Sequence, residues 1–179
     1  MARRGVAAVG YRRRVKRLWA PWRMAYVSGV PAGTGEACFL CAAAAGGDGN
    51  ESLVVDRGTL AFILLNRFPY TSGHLMAVPV RHTPSVLAMT PDEGAAVFAA
   101  TQRALRVLTD VMHPDGFNIG INQGSAAGAS AEHVHLHVVP RWSGDTNFMP
   151  VVGDVKVLPQ DLETTAIALR EAFARLGPL

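Results

Sequence analysis

Residues 131–142 read AEHVHLHVVPRW, and within them His133, His135 and His137 alternate with Val134, Leu136 and Val138. Successive side chains of a β-strand point to opposite faces, so this spacing predicts a strand with three imidazoles along one face and an aliphatic ridge along the other. A slip of one residue would exchange the two faces, which makes the register of such a strand tightly specified. Three kinds of chemistry fit the pattern. The imidazoles could simply be the polar residues of a half-buried strand, although three of the chain's six histidines fall within five positions. They could ligate a metal, since alternating histidines can present two or three zinc ligands. Or a neutral imidazole, its tautomer fixed through the other ring nitrogen, could attack an acyl or phosphoryl centre while its neighbours bind charge or carry a proton.

The 179 residues suffice for one domain with a sizeable core, and 49% hydrophobic against 17% charged residues is a globular balance. The formal charge is +3, but Arg3, Arg4, Arg12, Arg13, Arg14, Lys16 and Arg17 crowd the start, so the remaining body is acidic. Residues 1–17 therefore read as a disordered basic tail, or as an extension from a mis-assigned start. Nucleic-acid contact is the lesser reading, weakened because only Tyr11 interleaves with the arginines. The stretch Gly5 to Gly10 is too short and glycine-containing for a secretory signal, and no run is long enough to cross a bilayer. The expectation is a soluble, cytoplasmic protein with no membrane partner. Two cysteines, Cys38 and Cys41 in CFLC, exclude a disulfide framework and leave a redox pair, a metal half-site or chance.

Residues 18–37 are rich in aromatic residues and proline and read as an ordered extension followed by a loop. Cys38 to Gly49 begins apolar and ends in a GGDGN turn. Strand-like runs follow at Leu53 to Asp56, Leu60 to Leu65, His74 to Val80 and Phe117 to Ile121, the first two joined tightly through Arg57 and Gly58. Between them Thr90, Pro91 and Glu93 start a helix that runs to Met112, with Val97, Ala104, Leu105, Leu108, Val111 and Met112 as its apolar stripe and Arg103 and Arg106 off it. His113 just beyond is expected to favour the helix dipole. The small residues of Asn122 to Ser130, NQGSAAGAS, would let backbone amides approach an anion. A final helix is expected from Leu158 to Leu176, before Gly177 and Pro178. These elements imply an α+β domain around a mainly antiparallel five-stranded sheet, with one long helix and a C-terminal helix.

His133-Val-His135-Leu-His137-Val-Val139 resembles the signature of the histidine triad (HIT) family, three histidines alternating with apolar residues. Asn66 to His82, NRFPYTSGHLMAVPVRH, is similar to that family's nucleotide-binding hairpin, and Asn122 to Ser130 to its phosphate loop. LWAPWRMAYV and PRWSGDTNF resemble flanking segments of bacterial members related to diadenosine tetraphosphate (Ap4A) phosphorylases and to fragile-histidine-triad hydrolases. The resemblance implies a HIT-like fold over residues 38–148, with a C-terminal extension over 149–179.

It implies the following chemistry. His135 would attack the α-phosphorus of a nucleotide and form a nucleotidyl-histidine. His137 would contact the phosphate, with Asn122, Ser130 and the loop around Gly128 and Ala129. Asn66 would bind ribose hydroxyls, and His74 would lie near the leaving group. Cys38, Cys41, His82 and His133 match zinc ligands of relatives, a closed and therefore structural Cys2His2 set. A homodimer is implied as well. The expected activity is cleavage of dinucleoside polyphosphates. Alternatives are a nucleoside phosphoramidase, a nucleotide sensor or scaffold with little turnover, and a zinc protein in which His135 and His137 are also ligands.

Overall fold

A computed structural model describes residues 38–46, 53–145 and 161–179. The basic tail, the aromatic extension, the stretch after the triad that contains Asn147, and the expected helix start at Leu158 lie outside the described residues. The elements are α1 (Phe39–Ala45), β1 (Val54–Arg57), β2 (Ala61–Leu65), β3 (Leu75–Pro79), α2 (Pro91–Met112), β4 (Gly116–Ile121), β5 (Leu136–Arg141) and α3 (Leu162–Arg175). Single helical turns occur at Val86–Ala88 and Ser125–Ala127. The strands form one antiparallel sheet in the order β1-β2-β3-β5-β4. The protein is an α+β fold of the expected architecture.

The first four predicted strands hold to within about one residue, the usual uncertainty of element ends. The link between β1 and β2 is longer than the tight hairpin expected. Arg57 pairs with Phe62, and the turn closes through Gly58 N–H donating to the Ala61 carbonyl at 2.9 Å. The apolar start of the CFLC segment is a helix, α1, closed by Gly46 at φ 78°. Its alanines favour a helix, but seven residues are too few for a strong periodic signal.

Side-chain alternation divides the sheet. Ile63, Leu65, Leu75, Ala77 and Val138 point to the face covered by α2 and α3, where Val97, Ala104, Leu108, Leu169 and Phe173 complete the larger core. Phe62, Leu64, Met76 and Val78 point the other way, against Leu40 and Ala43 of α1 and Cys38. Among the described residues, that smaller cover reaches the β1–β3 half of the sheet. Arg103 is not the solvent-facing residue its position off the stripe suggested. It pairs with Asp56 at 2.9 Å, both side chains mostly buried, and donates to the Gly177 carbonyl at 2.7 Å. His113 takes the left-handed conformation (φ 49°) as the cap of α2 and ends the helix where the sequence placed that end.

At its other end α2 carries the expected capping box, with Thr90 accepting from Glu93 N–H and the Glu93 carboxylate accepting from Thr90 N–H. Arg81 adds a two-bonded pair to that carboxylate, both contacts at 2.7 Å. The Arg81 guanidinium, with the Thr90 N–H, holds the Glu93 carboxyl down at about 2 against an ordinary 4.5. Because the folded value is depressed, the interaction stabilises the fold fully above about pH 4.5 and is lost as pH falls toward 2. We predict that the Glu93 carboxyl, followed by NMR, titrates near 2 in the native protein and moves up toward 4.5 in Arg81→Met. It should stop short of that value because Thr90 still donates. An unmoved titration would show that the guanidinium is not the cause.

Candidate active site and metal centre

Only part of the predicted histidine strand is regular. β5 begins at Leu136, so His133 and His135 precede it and His137 lies within it. Two hydrogen bonds replace the ladder there. Val134 N–H donates to the Thr83 carbonyl at 2.7 Å, and His135 Nδ1 lies 2.8 Å from the carbonyl of His133. The imidazoles consequently do not stand in one row. His133 turns beside His82, ring centroids 4.9 Å apart, while His135 and His137 meet edge to face at 4.7 Å. The apolar ridge behaves as expected, with Val134 and Val138 buried and Leu136 packed against the larger core.

His133 has moved into a cluster with Cys38, Cys41 and His82, whose ligating atoms all lie within 4.8 Å of one another. His133 Nδ1 is 3.6 Å from both sulfurs, and His82 Nδ1 is 3.2 Å from Cys41 Sγ. Tetrahedral bonds of about 2.3 Å to sulfur and about 2.1 Å to nitrogen would place such atoms about 3.6 Å apart. The tautomer fits too. His133 Nε2 is 2.9 Å from the Pro79 carbonyl, which can only accept, so Nε2 carries the proton and Nδ1 keeps its lone pair for the cluster.

Electrostatics point the same way. Burial, and the proximity of Cys38, push the Cys41 thiol up to about 11. Burial pulls His133 down to about 4, against the opposing bond to Pro79. The Cys41 thiol and the His133 ring are thus both held toward their neutral forms, whereas a divalent cation among the four side chains would favour thiolate sulfur as a ligand. The four side chains thus fit a closed tetrahedral metal site, with no open position for substrate. We predict near-stoichiometric metal in protein purified without chelator, lost in Cys38→Ser, and a melting temperature that chelator lowers in the parent but not in the variant. Metal well below half an equivalent would count against the site.

His135 and His137 remain on the open half of the sheet, opposite β4. His135 is 3% exposed, and burial pulls its basicity down, so the ring is neutral under ordinary conditions. The His133 carbonyl can only accept, which puts the proton of His135 on Nδ1 and leaves the lone pair on Nε2. A buried neutral imidazole with a fixed tautomer is a competent nucleophile. Asn122, just after β4, brings its amide nitrogen to 3.5 Å from His137 Nε2. Gly120 pairs with His137 across the ladder, and a side chain there would meet nothing within 4 Å. Among the described residues, Gly120 thus adds no side chain to the face beside His137.

Other expected site residues sit less directly. The Gly128 and Ala129 N–H groups donate within the loop, to Ser125 at 2.9 Å and Gly124 at 3.2 Å, so as placed they are not aimed at a ligand. Ser130 follows them, half-buried, on the approach to the triad. Asn66 organises the β2–β3 connection, accepting from Phe68 N–H at 2.9 Å and donating its own N–H to the His74 carbonyl. His74 is fully buried against His137, its Nε2 3.0 Å from His137 Nδ1. Sequence reasoning passed over two residues. Tyr70 stacks on His74 at 4.7 Å, and Gln123 accepts from Val86 N–H at 2.9 Å to anchor the loop. Only Tyr70, an aromatic in a proline- and glycine-bounded turn four residues before a histidine, left a readable signal.

Fold and site together define an α+β protein that pairs a Cys2His2 metal clamp with a nucleophile-competent histidine on an open sheet face. The HIT domain family matches residues 49–144, and the chain belongs to that family. It is 43% identical over 173 residues to a protein of Mycobacterium tuberculosis (strain H37Rv) named AP-4-A phosphorylase, covering 93% of this chain and 89% of that one. It is 33% identical over 94 residues to the asymmetrical bis(5'-nucleosyl)-tetraphosphatase of Schizosaccharomyces pombe, covering 52% of each. Among solved structures, a Zn-bound histidine triad family protein from Mycobacterium smegmatis superposes with a TM-score of 0.65 at 32% identity, over 78% of this chain and 94% of that one.

Proposed function

We propose that the protein cleaves dinucleoside polyphosphates such as Ap4A at the α-phosphorus, through a nucleotidyl-histidine on His135. The observation that carries the reading is the 2.8 Å contact between His135 Nδ1 and the His133 carbonyl, which leaves Nε2 as a free base beside His137 and Asn122. Nε2 forms a bond to the α-phosphorus as the bond to the bridging oxygen breaks, releasing a nucleoside polyphosphate. An oxygen of phosphate or water then bonds to the same phosphorus, the P–N bond breaks, and the imidazole returns neutral. His137 and Asn122 supply donors to the equatorial oxygens, where charge concentrates during transfer. Asn66 would meet the ribose and Ser130 the phosphate, with Gly128 and Ala129 joining once the loop reorganises around an anion.

The likeness to a mycobacterial protein named AP-4-A phosphorylase, over nearly the whole chain, favours phosphate as the acceptor. Ap4A incubated with and without inorganic phosphate tests this. ADP and ATP appearing only with phosphate mark a phosphorylase, and AMP with ATP a hydrolase. AMP released only from adenosine phosphoramidate would mark the phosphoramidase alternative. His135→Ala should lose at least about a thousandfold in rate whichever acceptor is used. No turnover of any of these substrates by the native protein would overturn the proposal and leave a nucleotide-binding sensor.

The metal of the clamp is proposed to be zinc, which two thiolates and two imidazoles suit, held structurally by Cys38, Cys41, His82 and His133. Free Cys38 and Cys41 fit a reducing compartment, and no helix among the described residues is long and apolar enough to cross a membrane. The reading places the protein in the cytoplasm as a homodimer without a nucleic-acid partner. Support for the dimer is the edge position of β4, where Ile119 and Ile121 are 50% and 37% exposed. Light scattering at micromolar concentration should return twice the chain mass, and a monomer mass would remove that part of the reading.

A further inference from the structure

We propose that His74 is a positioning residue that holds the proton of His137 on Nε2, so that His137 offers an N–H to an anion while its ring stays uncharged. The assignment begins from a group whose role is not in question. Tyr70 N–H can only donate, and it lies 3.1 Å from His74 Nδ1. Asn66 reinforces this. Its carbonyl oxygen is occupied by Phe68 N–H, which turns its amide nitrogen toward the same Nδ1 at 3.4 Å.

His74 Nδ1 is therefore an acceptor, and the neutral ring carries its proton on Nε2. That Nε2 is 3.0 Å from His137 Nδ1, so His74 donates and His137 accepts. The one proton left to a neutral His137 then sits on its Nε2, 3.5 Å from the amide nitrogen of Asn122. Two N–H donors facing one another across that distance converge on the place where an oxyanion would accept from both.

The surroundings of His74 are built to keep this orientation. The ring is fully buried, and Tyr70 stacks on it at an interplanar angle of 27°. Gly73, just before it, has φ +75°, and a Cβ there would run into the sulfur of Met112, so the turn that delivers His74 is fixed by α2. His74 cannot take a second proton at Nδ1 without displacing the Tyr70 and Asn66 donors. It is thereby fitted to orient His137 and unfitted to shuttle protons to a leaving group. The consequence for rate rests on the phosphate-binding role proposed for His137, but the tautomer does not.

The test compares native protein, His74→Gln and His74→Leu. A glutamine amide can still donate toward His137 Nδ1, and leucine cannot. In ligand-free protein labelled with 15N at histidine, correlation spectra of the ring nitrogens should place the His137 proton on Nε2 in the native protein and in His74→Gln. In His74→Leu that proton should move wholly or partly to Nδ1. With Ap4A, His74→Leu should lose ~100-fold in kcat with a smaller change in KM, and His74→Gln should stay within about tenfold of native. A proton on Nδ1 in the native protein would overturn the proposal, as would one still on Nε2 in a folded His74→Leu or equal impairment of the two variants. Should His74→Leu fail to fold, the native spectrum and the His74→Gln comparison decide. A native protein that turned over no nucleotide would sink the proposed function while leaving the spectra to judge the tautomer.

Discussion

One backbone hydrogen bond organises both sites. Val134 N–H donates to the Thr83 carbonyl at 2.7 Å, and so pins the approach to β5 against the segment that follows β3. Thr83 is adjacent to His82, so the bond brings His133 beside that histidine and the two cysteines. It also spends the N–H between His133 and His135 on a partner outside the ladder, which leaves the His133 carbonyl for the His135 ring. Without it, the alternating sequence would simply continue β5 backwards, and three imidazoles would share one face. The separation of His133, beside the two cysteines, from His135 and His137 depends on where that strand is made to begin.

The Cys2His2 cluster and the His135–His137 pair are connected through short covalent and hydrogen-bonded steps. Arg81 is tied to Glu93 at the start of α2, His82 faces Cys41, Thr83 receives Val134, and Val86 donates to Gln123 in the loop after β4. All four anchors fall within residues 81–86. A segment with almost no regular structure thus positions the helix, the metal cluster, the triad and the loop relative to one another.

Much of this was legible in the sequence. The bounds of α2 followed from Thr90, Pro91 and Glu93, because capping is local chemistry. The Cys38, Cys41, His82 and His133 set was readable once a resemblance linked residues 95 positions apart, and the side chains do converge. What escaped detection depended on contacts distant in sequence. That His133 and His135 leave the strand is decided by Thr83, about fifty residues away. That Arg103 is a buried tie to Asp56 and the C-terminal residues, rather than a solvated charge, depends on how α2 lies over β1. The burial of His74 behind His137 follows from the register of β3 against β5, which no local pattern encodes.

The alternation along β5 carries a further consequence when considered as parity. Even-numbered Leu136 and Val138 face the larger core, and odd-numbered His137 faces the open side, with Gly120 opposite it. Stability and chemistry are thus written on one short strand as two interleaved messages, each using every second residue. A shift of one residue would corrupt both together, exposing aliphatic surface and burying an imidazole in a single error. Misregistered forms would therefore lose core packing and the placement of His137 for the same geometric reason, and the requirement to fold also acts as a check on where that imidazole stands.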